Sequence, residues 1–194
     1  MIGKKNIVFG FLYLVLTAAL GPVMILKHSP VVAGAEQIKQ EKVGALQQAQ
    51  ASGFEVDLEK MTTEQIAKAN TDALLSLSAR LNAQAPIDAI KGGPHAHGNL
   101  EALLNIAAGL LLVFLAVPVL YKQIISWLFI AGALLHSGLL YLAVALESSW
   151  AQTLLGSWFG MIGPILILLG LLAAGAAAFQ GFSATPVKDK PARK

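Results

Sequence analysis

Four stretches of this chain are apolar for long enough to cross a membrane, and nothing else in it constrains the fold as strongly. They are IVFGFLYLVLTAALGPVMIL (7–26), ALLNIAAGLLLVFLAVPVLY (102–121), IISWLFIAGALLHSGLLYLAVAL (124–146) and WFGMIGPILILLGLLAAGAAAF (158–179). A hydrocarbon core of about 30 Å is spanned by roughly 20 helical residues. Backbone polar groups in lipid must find partners within their own segment, so the four are expected to be helices. The expected fold class is all-α: an integral membrane four-helix bundle. Charged residues make up only 13% of the chain, about half the roughly 25% usual for soluble domains.

Basic residues fall at Lys4 and Lys5 before the first span, at Lys122 between the second and third, and at Lys188, Lys190, Arg193 and Lys194 in the tail. With four spans these regions share one side, which the positive-inside rule makes the cytoplasm. The expected setting is a bacterial inner membrane, both termini cytoplasmic and the loop 27–98 periplasmic. The formal charge of +3 then reports orientation, not a nucleic-acid footprint. AGA at 33–35 resembles a signal-peptide cleavage site. The apolar run before it is longer than the usual ~7–15 residues, so the segment is expected to stay. With no cysteine in the chain, disulfides, thiolate metal sites and thioether-attached haem are excluded.

The expected division is residues 1–27 as the first transmembrane helix, 28–98 as an extracytoplasmic helical loop, 99–182 as transmembrane helices two to four, and 183–194 as a basic cytoplasmic tail. Within the loop, residues 35–51 place Ala35, Ile38, Ala45, Leu46 and Ala49 near one helical face, and Gly53 breaks the pattern. Thr62 with Gln65 three residues on has capping-box spacing. Ile66, Ala73, Leu74, Leu77 and Leu81 follow at helical spacing, and Pro86 is expected to end that helix. The insert between helices 1 and 2 thus reads as an extracytoplasmic helical hairpin, docked on the membrane domain or a partner, or solvated.

Polar side chains in an apolar bundle are functional candidates by default. His97, Glu101 and Asn105 step by four, so they share one helical face. If Lys122 marks the turn, His97 and Glu147 lie 25 residues away on adjacent helices and reach the same outer level, where His28 and His95 also arrive. His136, 14 residues from Lys122, would sit about 16 Å deeper at a rise of ~1.5 Å per residue. Gly21–Pro22 and Gly163–Pro164 fall at its level. Each proline leaves a carbonyl four residues earlier, at Ala18 and Gly160, without its donor. His136 then either hydrogen-bonds a freed carbonyl or shapes a cofactor pocket. Two imidazoles two residues apart, His95 and His97, suit a metal. The candidate cofactor-binding residues are His97, His95, His136 and Asn105, and the candidate metal ligands His97, His95, His28 and Glu147. Imidazole serves haem iron, copper, zinc and nickel alike.

HAHGNL at 95–100 resembles the HAHxNL stretch of subunit I-like proteins of the haem–copper oxidase group. Ala96–His97–Gly98, Pro118 and LLHSGLLYL (134–142) resemble the corresponding pieces of the small four-helix styrene-oxide isomerases. The resemblance covers about residues 95–180 and implies a haem b with His97 as axial ligand. His136 stands where the isomerase pattern carries a neutral amide, Glu101 and Asn105 depart from its spacing, and the sixty-residue insert is extra. Epoxide opening therefore does not carry over.

The leading expectation is a haem-b-binding component of a respiratory or oxidative membrane assembly, acting in electron transfer or as a haem Lewis acid. If it is an enzyme, it would be a haem-dependent isomerase or an oxidoreductase subunit. The first alternative is a cofactor-free accessory subunit of a larger complex or homo-oligomer, packed through the small-xxx-small pair Gly156 and Gly160. The second is a periplasm-facing copper-binding protein using His28, His95 and His97.

Overall fold

A computed structural model describes residues 1–56 and 59–189; Lys190, Arg193 and Lys194, on which part of the orientation rests, lie outside them. The described residues are mostly helical, with one short antiparallel ladder, an isolated bridge between Leu115 and Phe182, and irregular connections. Among the described residues, four helical stretches are long and apolar enough to cross a membrane: Gly3–Ala51, Thr63–Phe114, Val119–Ala145 and Trp158–Gly181. The chain divides into two compact units, Met1–Gly21 with Ala89–Lys194, and Pro22–Asp88.

In the first unit, α1 (Gly3–Ala18) runs antiparallel to α4 (Ala96–Phe114), and α5 (Val119–Ala133) antiparallel to α7 (Ile162–Gly181). Beyond α5 the helix widens into two π turns, Leu134–Gly138 and Tyr141–Ala145. A short α6 (Ser149–Leu155) and a 3-10 turn (Trp158–Met161) lead into α7. Gly156 and Gly160 therefore do not form the expected packing face: one ends α6 and the other sits in the 3-10 turn, with no regular helix joining them. The close approach is made instead by α1 and α4. A Cβ on Gly10 would lie 2.6 Å from Ile106 Cγ1 and 2.7 Å from the Ala102 carbonyl oxygen, so only glycine lets these helices come so near.

The burial pattern is inverted relative to a water-soluble bundle. Asn6, Thr17, Glu101, Asn105, Lys122, Ser126 and Ser137 are buried, while Phe11, Val15, Trp127, Leu168 and Leu172 are each more than half exposed. Water would reward the opposite arrangement; lipid rewards this one.

The turn between α4 and α5 is not at Lys122. α4 stops at Phe114, Leu115 is extended, and Pro118 caps α5 at φ −53°, ψ 142°. A proline disfavours helical geometry in the residue before it and offers no N–H, which is why the apolar run breaks there. The last carbonyls of α4 are taken by the tail: Ser183 N–H donates to Phe114 O (2.8 Å) and Val187 N–H to Val113 O (2.8 Å). Lys122 is in the first turn of α5, 1% exposed, and donates to Asp189 Oδ1 at 2.8 Å. It is a buried ion pair, not the loop charge that the orientation reading required.

In the second unit, α2 (Leu20–Ala51) and α3 (Thr63–Ile90) are joined through the ladder β1 (Glu55–Val56) and β2 (Glu59–Lys60), with Glu55 opposite Lys60. Gly53 and Phe54 take positive φ (67° and 61°) in the turn. The capping box forms as its spacing predicts: Thr62 N–H donates to Gln65 Oε1 (2.8 Å) and Gln65 N–H to Thr62 Oγ1 (3.2 Å). Arg80 Nε reaches Glu36 Oε2 at 3.1 Å, pairing the two helices. Pro86 does not end α3, which continues to Ile90. Its missing bond frees the Asn82 carbonyl, and both residues are exposed, where water can replace the lost donor. The break comes later, at Gly93 (φ −96°, ψ −108°), inside the π turn Lys91–His95 of the first unit.

Candidate metal centre

The site grows from the polar face of α4. Asn105, fully buried, donates to the carbonyls of Glu101 (3.0 Å) and Phe129 (3.2 Å) and accepts from Asn6 Nδ2 (3.1 Å). Asn6 also donates to Ser126 O (3.0 Å) and accepts from the Ser126 hydroxyl. Three helices are thereby tied at one level by groups that are all paired, as a low-dielectric interior demands.

One turn further along α4 is Glu101, 4% exposed. His136 Nδ1 lies 2.5 Å from its Oε1, and the Ser137 hydroxyl donates to its Oε2 at 2.5 Å. Neighbouring side chains on a regular helix diverge by about 100°. The π turn Leu134–Gly138 relaxes that constraint, so both His136 and Ser137 face the same carboxylate; such turns occur frequently at functional sites. α7 presses on this turn at Gly163, where a Cβ would fall 2.6 Å from Leu135 C and 2.7 Å from His136 Cβ. Tyr13, from α1, places its hydroxyl 2.8 Å from Ser137 Oγ.

His97 completes the group. Its ring centroid is 4.8 Å from that of His136, with the planes at 60°, and one ligand atom from each of His97, Glu101 and His136 lies within 4.8 Å of the others. His136 is half-buried and His97 exposed. The 16 Å offset expected between the two histidines is absent. Eighteen residues separate His97 from Leu115 and Pro118 from His136, so both stand about 27 Å from the turn at a rise of ~1.5 Å per residue.

The other candidate residues are placed differently. His95 directs Nδ1 to the Thr17 carbonyl at 3.0 Å, and its Cε1 is 3.6 Å from where a Gly21 Cβ would be. Glu147 sits at φ 53° in the exposed turn after Tyr141–Ala145, outside the three-residue group. Asn105 supports the backbone beneath Glu101. His28 belongs to the second unit, on α2. The sequence reading passed over Tyr13, Ser137, Asn6 and Ser126. Asn6 and Tyr13 are seven apart on α1, hence on one face, and Ser126 and Ser137 are eleven apart, about three turns. Those spacings were the available signal.

Two imidazoles and a carboxylate form an N2O donor set of the kind that holds a divalent first-row transition metal with positions left open. No family model, curated protein or solved structure matches this chain.

Proposed function

We propose that the protein is a membrane-embedded metal-binding protein whose site, built from His97, His136 and Glu101, takes one divalent transition-metal cation. The observation that carries this reading is the convergence of the three ligand atoms within 4.8 Å from two helices, in a bundle where an unneeded buried carboxylate would be costly. Imidazole nitrogen suits zinc, copper, nickel and iron, and the absence of thiolates removes the softest-ion class. A cation there would act as a Lewis acid on a small ligand, or change valence if redox-active. The test is elemental analysis of detergent-purified protein after exposure to each cation. One equivalent per chain is expected, lost in His97→Ala and in His136→Ala. A wild type that retains no cation under any loading condition refutes the reading.

A haem b on His97 is the second reading, favoured by the exposure of that ring together with the resemblance of residues 95–100. Gly163 against His136 leaves little width inside the bundle, so the macrocycle would lie on the outer side of His97. It predicts a Soret band that vanishes in His97→Ala and survives in His136→Ala.

For orientation we place the loop 27–98 on the outer side of a bacterial inner membrane, with both termini inside, on the support of Lys4, Lys5 and Lys188. Since the chain has no cysteine, single cysteines at Ser52 and Thr185 can be labelled in intact cells. Only the first should react.

A further inference from the structure

We infer that Tyr13, Ser137 and Glu101 form a hydrogen-bonded chain that fixes the ring of His136, so that His136 offers Nε2 to the cation and Glu101 stands behind the imidazole as a positioning residue instead of binding the ion. The inference rests on the metal-site reading above and amends its donor set: His97 and His136 hold the ion, and Glu101 belongs to the site without ligating it.

With Glu101 as the carboxylate, proton inventory assigns a direction to each bond in the chain. An ionised carboxylate only accepts. Glu101 Oε1 therefore receives the proton on His136 Nδ1, and Oε2 receives that of the Ser137 hydroxyl. Ser137 has a single proton; having given it to Glu101, it can only accept from Tyr13, whose hydroxyl is 2.8 Å away. The competing acceptor, the Ala133 carbonyl, is farther from both hydroxyls, at 3.2 Å from Ser137 and 3.4 Å from Tyr13. Each hydrogen is used once, and no buried side-chain nitrogen or oxygen among the described residues lacks a partner.

With Nδ1 committed, the lone pair of His136 is on Nε2, across the ring from the carboxylate. A metal-bound histidine commonly donates its second N–H to a carboxylate, which fixes the tautomer and raises the basicity of the ligand. The chain supplies that arrangement before any cation arrives, using one residue from α1, one from α4 and two adjacent residues from the π turn. His97 is the exposed member of the group, and two imidazoles leave coordination positions unfilled. They are open to water or another small donor ligand.

The experiment is a titration of full-length protein in detergent with Zn2+, and with Co2+ for its visible spectrum. X-ray absorption on the Zn2+ form counts the imidazoles. Ser137→Ala and Tyr13→Phe should each weaken binding about 10–100-fold, as loss of outer-shell partners does, and Ser137→Thr should restore it. Glu101→Gln keeps an acceptor for the Nδ1 proton, so it should stay within that same range and retain two imidazoles on zinc. Unchanged thermal melting of the cation-free variants separates lost positioning from lost folding. Tyr13→Phe, which removes one oxygen, is the variant to rely on if Ser137→Ala misfolds. Wild-type affinity in both Ser137→Ala and Tyr13→Phe overturns the inference. So does Glu101→Gln protein that binds no cation, because Glu101 would then be a ligand itself. A wild type that binds neither probe overturns the metal-site reading instead.

Discussion

Replacing Asp189 by asparagine removes the anion that faces Lys122. The lysine is 2% exposed at its side chain and its ammonium is 2.8 Å from the carboxylate. Asp189 also accepts the Ile2 N–H at 3.0 Å and lies 3.7 Å from the amino terminus. Breaking one side of a buried pair costs about 3–5 kcal/mol, since the other charge stays desolvated. Asp189 keeps 16% of its side chain exposed, so water can partly replace it, and the lower end, about 3 kcal/mol, is expected. For a chain of this size that lowers the melting midpoint by about 6–12 °C, measurable by circular dichroism in detergent at neutral pH. Pairing the change with Lys122→Met should recover most of the loss, because an apolar replacement of a whole buried pair is often neutral. The pH dependence has a definite sign. Burial pushes the Asp189 carboxyl up, but the hydrogen bonds from Lys122 and Ile2 and the positive charges of Lys122 and the amino terminus outweigh it and hold the group below its ordinary value. Its stabilisation is then complete above about pH 4 and fades as pH falls through the lower folded value. Wild type and Asp189→Asn should differ by a constant amount from about pH 5 to 8 and converge only in stronger acid. A single variant that melts within about 1 °C of wild type, or a gap that closes near neutrality, would refute the buried-pair reasoning.

Gly163→Val puts side-chain atoms against the His136 backbone; overpacking of about 1–3 kcal/mol is expected, with a larger loss of cation affinity than of melting temperature, read from parallel titration and thermal scans. Asn105→Leu leaves the Asn6–Ser126 pair incomplete and should cost about 1–3 kcal/mol, while Asn6→Leu combined with Asn105→Leu should cost less than the two added together. Thr62→Ala breaks the capping box and should lower the stability of α3 by about 1 kcal/mol, visible as faster hydrogen exchange over residues 63–66 with α7 unaffected.

Hydrophobic run length made the four spans legible, and the capping box at Thr62–Gln65 was legible from spacing alone. The polar face of α4 was legible too, since His97, Glu101 and Asn105 repeat every four residues. What failed was register. Taking Lys122 as the turn, when Leu115–Pro118 makes it, lengthened one helix and shortened the next by the same amount, so the error entered the depth comparison twice. That doubled slip separated His97 from His136 by 16 Å on paper. Pro118 carried the right answer, and Lys122 was persuasive only because a charge in an apolar stretch suggests a loop; its partner Asp189 is 67 residues away in sequence, beyond any local pattern. Tyr13 and Ser137 were missed for a related reason. A hydroxyl in an apolar helix is unremarkable until a neighbouring helix supplies its partner.

Each of the two π turns after α5 takes one more residue into its turn than an α-helix does, so that residue adds no rotation. Residues after Gly138, up to Ala145, are therefore out of phase with those before Leu134, by about 100° for the insertion at Leu134–Gly138. Any helical wheel drawn through 119–145 as one regular helix will assign the wrong face to the residues after Gly138. Removing a single residue between Leu134 and Gly138 would turn the imidazole and the neighbouring hydroxyl apart, although helix length and composition would hardly change.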